Sequence, residues 1–259
     1  RGRGYLQRPA LMEEGTVLLK QPSEDRMTRT VILHYHLFKN AGTSLDRILR
    51  ENFEDGWVTT EFPGGSRDNS REVAGWIDAH PEAVAFSTHT AMGPVPQIDG
   101  TRIVSVMLLR DPVARIRSAY RFERKQQADT WGAELAKQHD LEGYVQARLA
   151  RRGDRQCRNF QTQRLASMVP GDGSELARAA LALKQLSVVG LVEDFDAVTR
   201  DLTQALRPAF PDFQARNIRA NTTTLAPETG MDRRVNAALE AANADDRHLW
   251  RLLHEKAVP

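Results

Sequence analysis

Apolar and polar positions change period several times along the chain, and each change marks an element. Residues 30–38 alternate and are rich in β-formers (Val31, Ile32, Leu33, Tyr35, Leu37), which predicts a strand. From Ser44 the period lengthens, and Leu45, Ile48, Leu49, Asn52 and Phe53 share one face of a helix. Strand, short Gly-containing turn and helix together open a parallel α/β unit. Residues 84–88 and 103–109 are short apolar runs of buried-strand type. Asp111-Pro112 then opens a helix, with Asp as N-cap and Pro at the first helical position. Residues 188–192 predict another strand, followed by a helix over 194–206. Helical patterns also cover 141–152, 156–168, 174–187 and 232–257, while 171–173 and 221–230 read as loops. Residues 1–29 are polar and aperiodic, an extended lead-in to one α/β domain over 30–259, with a central parallel sheet flanked by helices.

Composition narrows the class without changing that outline. With 259 residues, 41% hydrophobic and 27% charged, the chain is too apolar for a disordered protein. A net charge of +2 gives no global field for nucleic acid. Charge is instead concentrated in residues 110–125, where Arg110, Arg115, Arg117, Arg121, Arg124 and Lys125 face only Asp111 and Glu123, which points to a small anionic ligand. The single cysteine, Cys157, excludes an intrachain disulfide and a cysteine metal cluster, so a reducing compartment, the cytoplasm, is expected. No apolar run approaches the roughly 20 residues of a membrane span. The start, Arg1-Gly2-Arg3-Gly4-Tyr5, has no apolar signal core and no initiator Met, which leaves open a trimmed anchor and a membrane or secretory-lumen origin.

Three segments carry chemistry. Lys39-Asn40-Ala41-Gly42-Thr43-Ser44 lies between the first strand and the first helix. A helix N-terminus offers free N–H groups and a positive dipole end, and Gly42 allows unusual backbone angles and close approach. Lys39 adds a charge, and Thr43 and Ser44 add hydroxyls. The nucleotide-triphosphatase loop G-x-x-x-x-G-K-[ST] places its Lys near the end; here Lys precedes the loop and the first Gly is absent. Arg110, at a strand end, presents a planar fork suited to phosphate, and Ser118, two turns into the next helix, supplies a hydroxyl to the same group. His89 ends the strand over 84–88, at the carboxyl edge where parallel sheets keep ligands, and its ordinary pKa suits proton removal near neutrality. His34 and His36 share a strand face and imitate a metal pair, but no third ligand is evident near them, so they are read as packing or pocket-lining. Residues 103–109 hold no acid of the kind that positions magnesium, and no metal is expected.

The order Lys39-x-x-Gly42-Thr43-Ser44 after a strand resembles the 5′-phosphosulfate loop of sulfotransferases that use 3′-phosphoadenosine-5′-phosphosulfate (PAPS). It is most similar to the carbohydrate branch, whose loop often reads Lys-Thr-Gly-Gly-Thr-Ser; Asn40 and Ala41 depart from that form. Residues 110–120 resemble the family's 3′-phosphate motif, Arg-Asp-Pro-x-x-Arg-x-x-Ser-x-Tyr, at every fixed position. The segment from Thr88 to Gly93 is similar to the heparan 2-O- and 6-O-sulfotransferase stretch that carries the histidine base, which puts that role on His89; Glu61 and Asp68 stand as alternative bases. Residues 159–165 resemble an Asn-x-Gln-Thr-Arg-x-Leu stretch, with Gln163 shifting Arg164 by one position and Gln161 and Thr162 expected to line the pocket. Residues 189–195 match a frequent family segment, and 219–223 resemble a late loop that closes over the nucleotide, with Thr222 and Thr223 as binding residues.

The resemblance covers about residues 30–225. It implies a P-loop-like sulfotransferase fold, PAPS as co-substrate and in-line transfer to an acceptor hydroxyl on a glycan or glycolipid. Lys39 and His89 would act in the transfer; residues 39–44, Arg110 and Ser118 would hold the donor. The alternatives are a P-loop-like nucleotide-dependent kinase or hydrolase and a non-catalytic nucleotide-binding module.

Overall fold

A computed structural model describes residues 29–215 and 231–257. In chain order the elements are β1 (Arg29–Tyr35), α1 (Gly42–Phe53), β2 (Trp57–Thr59), α2 (Ser70–Asp78), β3 (Ala85–Thr88), β4 (Thr101–Leu109) and α3 (Pro112–Lys125). They continue with α4 (Trp131–Gln138), α5 (Leu141–Ala150), α6 (Phe160–Ser167), α7 (Glu175–Gln185), β5 (Val188–Leu191), α8 (Phe195–Leu206), α9 (Arg233–Ala242) and α10 (Ala244–Ala257). The strands form one five-stranded parallel sheet in the order β2-β3-β1-β4-β5. The fold is therefore the α/β domain expected, a parallel sheet between helices. No helix among the described residues is long and apolar enough to cross a membrane.

Alternation along β1 and β4 assigns the two faces. Ile32, Val104, Val106 and Leu108 pack with Leu45, Ile48 and Leu49 of α1 and Val198, Leu202 and Leu206 of α8. Val31, Leu33, Tyr35, Met107 and Leu109 pack on the opposite face with residues of α2, α6, α7 and α10. A separate cluster under α3, built from Ile116, Tyr120, Leu135, Tyr144, Val145, Val235 and Leu239, joins α4, α5 and α9 to it. As expected, Asp111 caps α3, accepting from the Ala114 amide at 2.8 Å, with Pro112 beside it.

Most boundaries agree within two residues, and three features depart further from the sequence reading, each for a local reason. Strand β1 stops at Tyr35 because the Leu37 amide turns back to the Tyr35 carbonyl (2.9 Å) and the chain leaves the sheet for the loop. Helix α6 starts only at Phe160, since Asn159 takes a left-handed conformation (φ 40°). The pattern over 232–257 breaks at Asn243, whose buried amide donates to the carbonyls of Cys157 and Leu239 and so interrupts the helix. Elements β2, α2 and α4 are absent from the sequence reading; they are short, and α2 does carry Val73, Trp76 and Ile77 on one face. The expected loop over 221–230, most of the lead-in, and Thr222 and Thr223 with it, lie outside the described residues.

The α1 face of β1 carries an exception to its apolar run. His34 and His36 continue the stripe begun by Ile32, and Asp46 of α1 receives them both. Nδ1 of His34 donates to one carboxylate oxygen at 2.7 Å and Nδ1 of His36 to the other at 2.8 Å. Burial alone would raise the Asp46 carboxyl, but His34 and then His36 overcome it and hold the group well below the usual range. The His36 ring lies over Gly42: a Cβ there would sit 2.1 Å from a ring carbon. Gly42 is therefore required for space. The left-handed backbone expected of it falls instead on Lys39 (φ 64°) and Ala41 (φ 56°).

Two stability predictions follow from this corner. Gly42→Ala lowers stability by about 1–3 kcal/mol in thermal melts, the usual range for overpacking, because His36 is tied to Asp46 and cannot swing aside freely. Asp46→Asn lowers stability by roughly 3 kcal/mol near neutrality, in line with two hydrogen bonds to a charged group. Because the folded carboxyl titrates below its unfolded value of about 3.9, this contribution is full above that pH and is lost on acidification. The gap between variant and wild type in denaturant titrations narrows below about pH 4; a gap constant down to pH 2 would contradict the assignment.

Candidate functional site

Adjacent strands β1 and β4 send their connections to opposite sides of the sheet, β1 toward β2 and β4 toward β5. In open parallel sheets that reversal opens a crevice at the carboxyl ends, where ligands sit. Here the crevice is bordered by residues 39–44 after β1 and Arg110 after β4. The Arg110 guanidinium donates to the Lys39 carbonyl at 3.1 Å, so the two expected phosphate-binding segments meet. Burial, and then the Arg110 charge, lowers the Lys39 pKa; burial likewise lowers that of Arg110, against the pull of Glu193 and Asp111. Two partly desolvated cations side by side are relieved by an anion.

Within the loop, the amides of Ala41, Gly42 and Thr43 find no acceptor among the described residues, whereas Ser44 N–H donates to the Ala41 carbonyl at 2.9 Å. These three amides thus remain for a ligand. Thr43 is exposed and Ser44 buried. The Asn40 side chain turns inward: its amide donates to the Leu108 carbonyl and to Gln161 Oε1, each at 2.7 Å. Lys39 Nζ lies 4.5 Å from the centre of the Phe122 ring, which also meets Phe38 edge-on. Ser118, one helical turn before Phe122, lies on that stripe of α3, and its hydroxyl has no hydrogen-bond partner among the described residues.

Gln161 and Thr162, expected to line the pocket, are buried instead. Gln161 accepts from the Arg110 amide at 2.8 Å and returns its own amide to the Arg110 carbonyl at 2.9 Å, while holding Asn40. Thr162 and the Gln161 amide are fixed by Asp246 of α10, which caps α6 from outside. Arg115 of the second motif is fully buried and bonded to Gln156, and Tyr120 donates to the His139 carbonyl, so both are internal struts. Arg155 and Arg158 likewise have partners, Glu175 and the Leu149 carbonyl.

On the other side of β1, β3 delivers His89. Its ring stands 4.0 Å from the His36 ring, which itself covers Gly42, so His89 flanks the loop. Nδ1 of His89 donates to Glu61 at 2.5 Å, and Thr90 donates to the other Glu61 oxygen at 2.9 Å. Those hydrogen bonds outweigh burial and hold the Glu61 carboxyl below its usual range. The arrangement leaves His89 Nε2 without a hydrogen-bond partner among the described residues, on a half-exposed ring with a carboxylate behind it. Arg164 reaches this turn despite its shifted register, donating to the carbonyls of His89 (2.5 Å) and Ala91 (3.1 Å), and burial brings its pKa down to about 10. Asp68 sits apart from this pair, accepting from Ser70 and packing against Gly93.

Sequence reasoning missed Asp46. Its position on α1 opposite His34 and His36 is a product of helix docking and leaves no spacing signal. Donor atoms of these three residues lie within 4.8 Å of one another, so a third metal-ligand type does stand beside the pair. Their hydrogen bonds to one another already account for the cluster.

Relatives add kinship without an activity. No family model matches the chain. An uncharacterized protein of Archaeoglobus fulgidus is 38% identical over 244 residues, covering 86% of this chain and 96% of that protein. At that identity and coverage, the chain belongs to the same family as the archaeal protein.

Proposed function

We propose that this chain is a PAPS-dependent O-sulfotransferase with a P-loop-like fold, acting on a hydroxyl of a glycan or glycolipid. The observation that carries the reading is the order β3-β1-β4. It sets a carboxylate-backed histidine, a lysine-led anion loop and an arginine side by side along one sheet edge. A donor with phosphate at both ends of a ribose suits this arrangement. Its 5′-phosphosulfate lies on Lys39 and the amides of Ala41, Gly42 and Thr43, and its 3′-phosphate lies against Arg110 and Ser118.

The transfer is an in-line displacement. His89 Nε2 takes the acceptor's proton as the acceptor oxygen bonds to sulfur. The bond from sulfur to the 5′-phosphate oxygen breaks, and its electron pair stays on that phosphate, giving adenosine 3′,5′-bisphosphate. Lys39 and the loop amides stabilise the charge that builds there. Glu61 keeps His89 in the tautomer that presents Nε2 and stabilises the imidazolium. A kinase reading asks for carboxylates free to position magnesium. Two acids beside these segments are engaged: Asp46 holds His34 and His36, and Asp111 caps α3 and binds Arg247.

Transfer of radiolabelled sulfate from PAPS to an acceptor panel tests the roles. His89→Ala loses about 10²- to 10⁴-fold in kcat, the usual contribution of a general base, with donor binding retained. Arg110→Ala instead weakens binding of adenosine 3′,5′-bisphosphate about 10- to 100-fold, as expected for hydrogen bonds to a charged group. Gln161→Leu, which keeps the volume but removes the link between the segments, weakens the same ligand by a similar factor without touching it. Near-wild-type turnover in His89→Ala would remove the base assignment.

A further inference from the structure

Three imidazole rings stand in a row where β1, α1 and the end of β3 meet. His34 and His36 stack with centroids 5.1 Å apart, and the His36 ring lies 4.0 Å from that of His89. His36 is the middle ring, and its side chain is 9% exposed. Nδ1 donates to Asp46 at 2.8 Å, which ties one side of the ring. The other side is turned to the loop: Cδ2 and Nε2 lie 2.1 and 2.3 Å from where a Cβ on Gly42 would stand. A Cβ is itself about 2.5 Å from the nitrogen of its own residue, so Nε2 is within about 5 Å of the Gly42 amide.

That amide opens α1 and, with those of Ala41 and Thr43, finds no acceptor among the described residues. His36 Nε2 has no hydrogen-bond partner among them either. The unpartnered side-chain nitrogens that are closed off from solvent are all arginine Nε atoms, so Nε2 is not one of them. The neighbouring carboxylates are engaged elsewhere: Asp46 holds the Nδ1 atoms of His34 and His36, and Glu61 holds His89 and Thr90. Packing over Gly42 asks for no polar atom. A ring nitrogen without a partner in a nearly closed corner is costly, and an anion on the adjacent amides supplies the partner.

We propose that His36 is a ligand-binding residue of the loop: its Nε2–H donates to the anion seated on the amides of Ala41, Gly42 and Thr43. Because Nδ1 gives its proton to Asp46, Nε2 donates as part of an imidazolium. The identity of the anion rests on the sulfotransferase reading above, which makes it the 5′-phosphosulfate. His36 then stands between His89 and the loop, on the side that the acceptor approaches.

The test is calorimetric titration of the full chain with adenosine 3′,5′-bisphosphate, adenosine 3′-phosphate and pyrophosphate. His36→Asn keeps a donor for Asp46 at the Nδ1 position and has nothing at Nε2. His36→Gln places an amide at the Nε2 position and loses the bond to Asp46. His36→Asn weakens the bisphosphate about tenfold, while His36→Gln stays within about threefold of wild type. Adenosine 3′-phosphate, which reaches only the Arg110 end, changes less than about twofold in both. Thermal melts show the opposite order, with His36→Gln the less stable, so affinity does not simply follow stability. The proposal is overturned if His36→Gln binds no better than His36→Asn, if both bind like wild type, or if adenosine 3′-phosphate weakens in parallel. Nitrogen NMR of histidine-labelled wild type needs no substitution: the His36 ring takes the doubly protonated pattern when the ligand is added, and an unchanged pattern overturns the proposal. If wild type binds pyrophosphate with the same contrast between variants but does not bind the bisphosphate, the His36 contact stands and the sulfotransferase reading falls. If it binds none of the three, both fall.

Discussion

One buried carboxamide ties the candidate site together. Gln161 is held by Asp246 through the start of α6, and its side chain reaches Asn40 in the loop after β1 and both backbone groups of Arg110 after β4. A polar group in this position is costly unless it is hydrogen-bonded, and Gln161 bonds through both its oxygen and its nitrogen to the two segments that border the crevice. The loop itself is strained at Lys39 and Ala41, and the Arg110 charge adds to burial in lowering the Lys39 pKa. Left alone, such a pair would move apart. The Asn40–Gln161–Arg110 connection resists that, so the cost of crowding cations is met by the body of the fold and the site is preorganised for an anion.

A second tie runs on the other side of β1. Asp46 fixes His36, His36 covers Gly42 and stacks near His89, and Arg164 with Glu61 fixes the His89 turn from behind. His89, the loop and Arg110 are therefore each positioned by residues from elsewhere in the fold. Their alignment follows from strand order alone, with β1 between β3 and β4.

Much of the site was legible in the sequence because its parts are local. Lys39, Gly42, Arg110 and His89 stand at or just beyond strand ends and at a helix start, and those junctions are marked by changes of period and by the Asp111-Pro112 cap, with Ser118 two turns further on. The partners were not legible, since they come from elsewhere in the chain. Asp46 meets His34 across twelve residues, Glu61 meets His89 across 28, and Gln161 meets Asn40 across 121. The resemblance of residues 159–165 to an Asn-x-Gln-Thr-Arg-x-Leu stretch puts Gln161 and Thr162 in the pocket, while their burial depends on Asp246, 84 residues beyond Thr162. Helix 232–257 was read as unbroken because the competing hydrogen bonds of Asn243 are tertiary.

The central claim is that the β1–β4 crevice holds a nucleotide phosphorylated at both the 3′ and 5′ positions through Lys39, the loop amides and Arg110. Calorimetric titration with adenosine 3′,5′-bisphosphate in the presence of a chelator, beside ATP with magnesium, tests it most directly. Tight binding of the bisphosphate without metal, with ATP and magnesium far weaker, is the predicted result. No bisphosphate binding, or a preference for ATP with magnesium, would contradict the account.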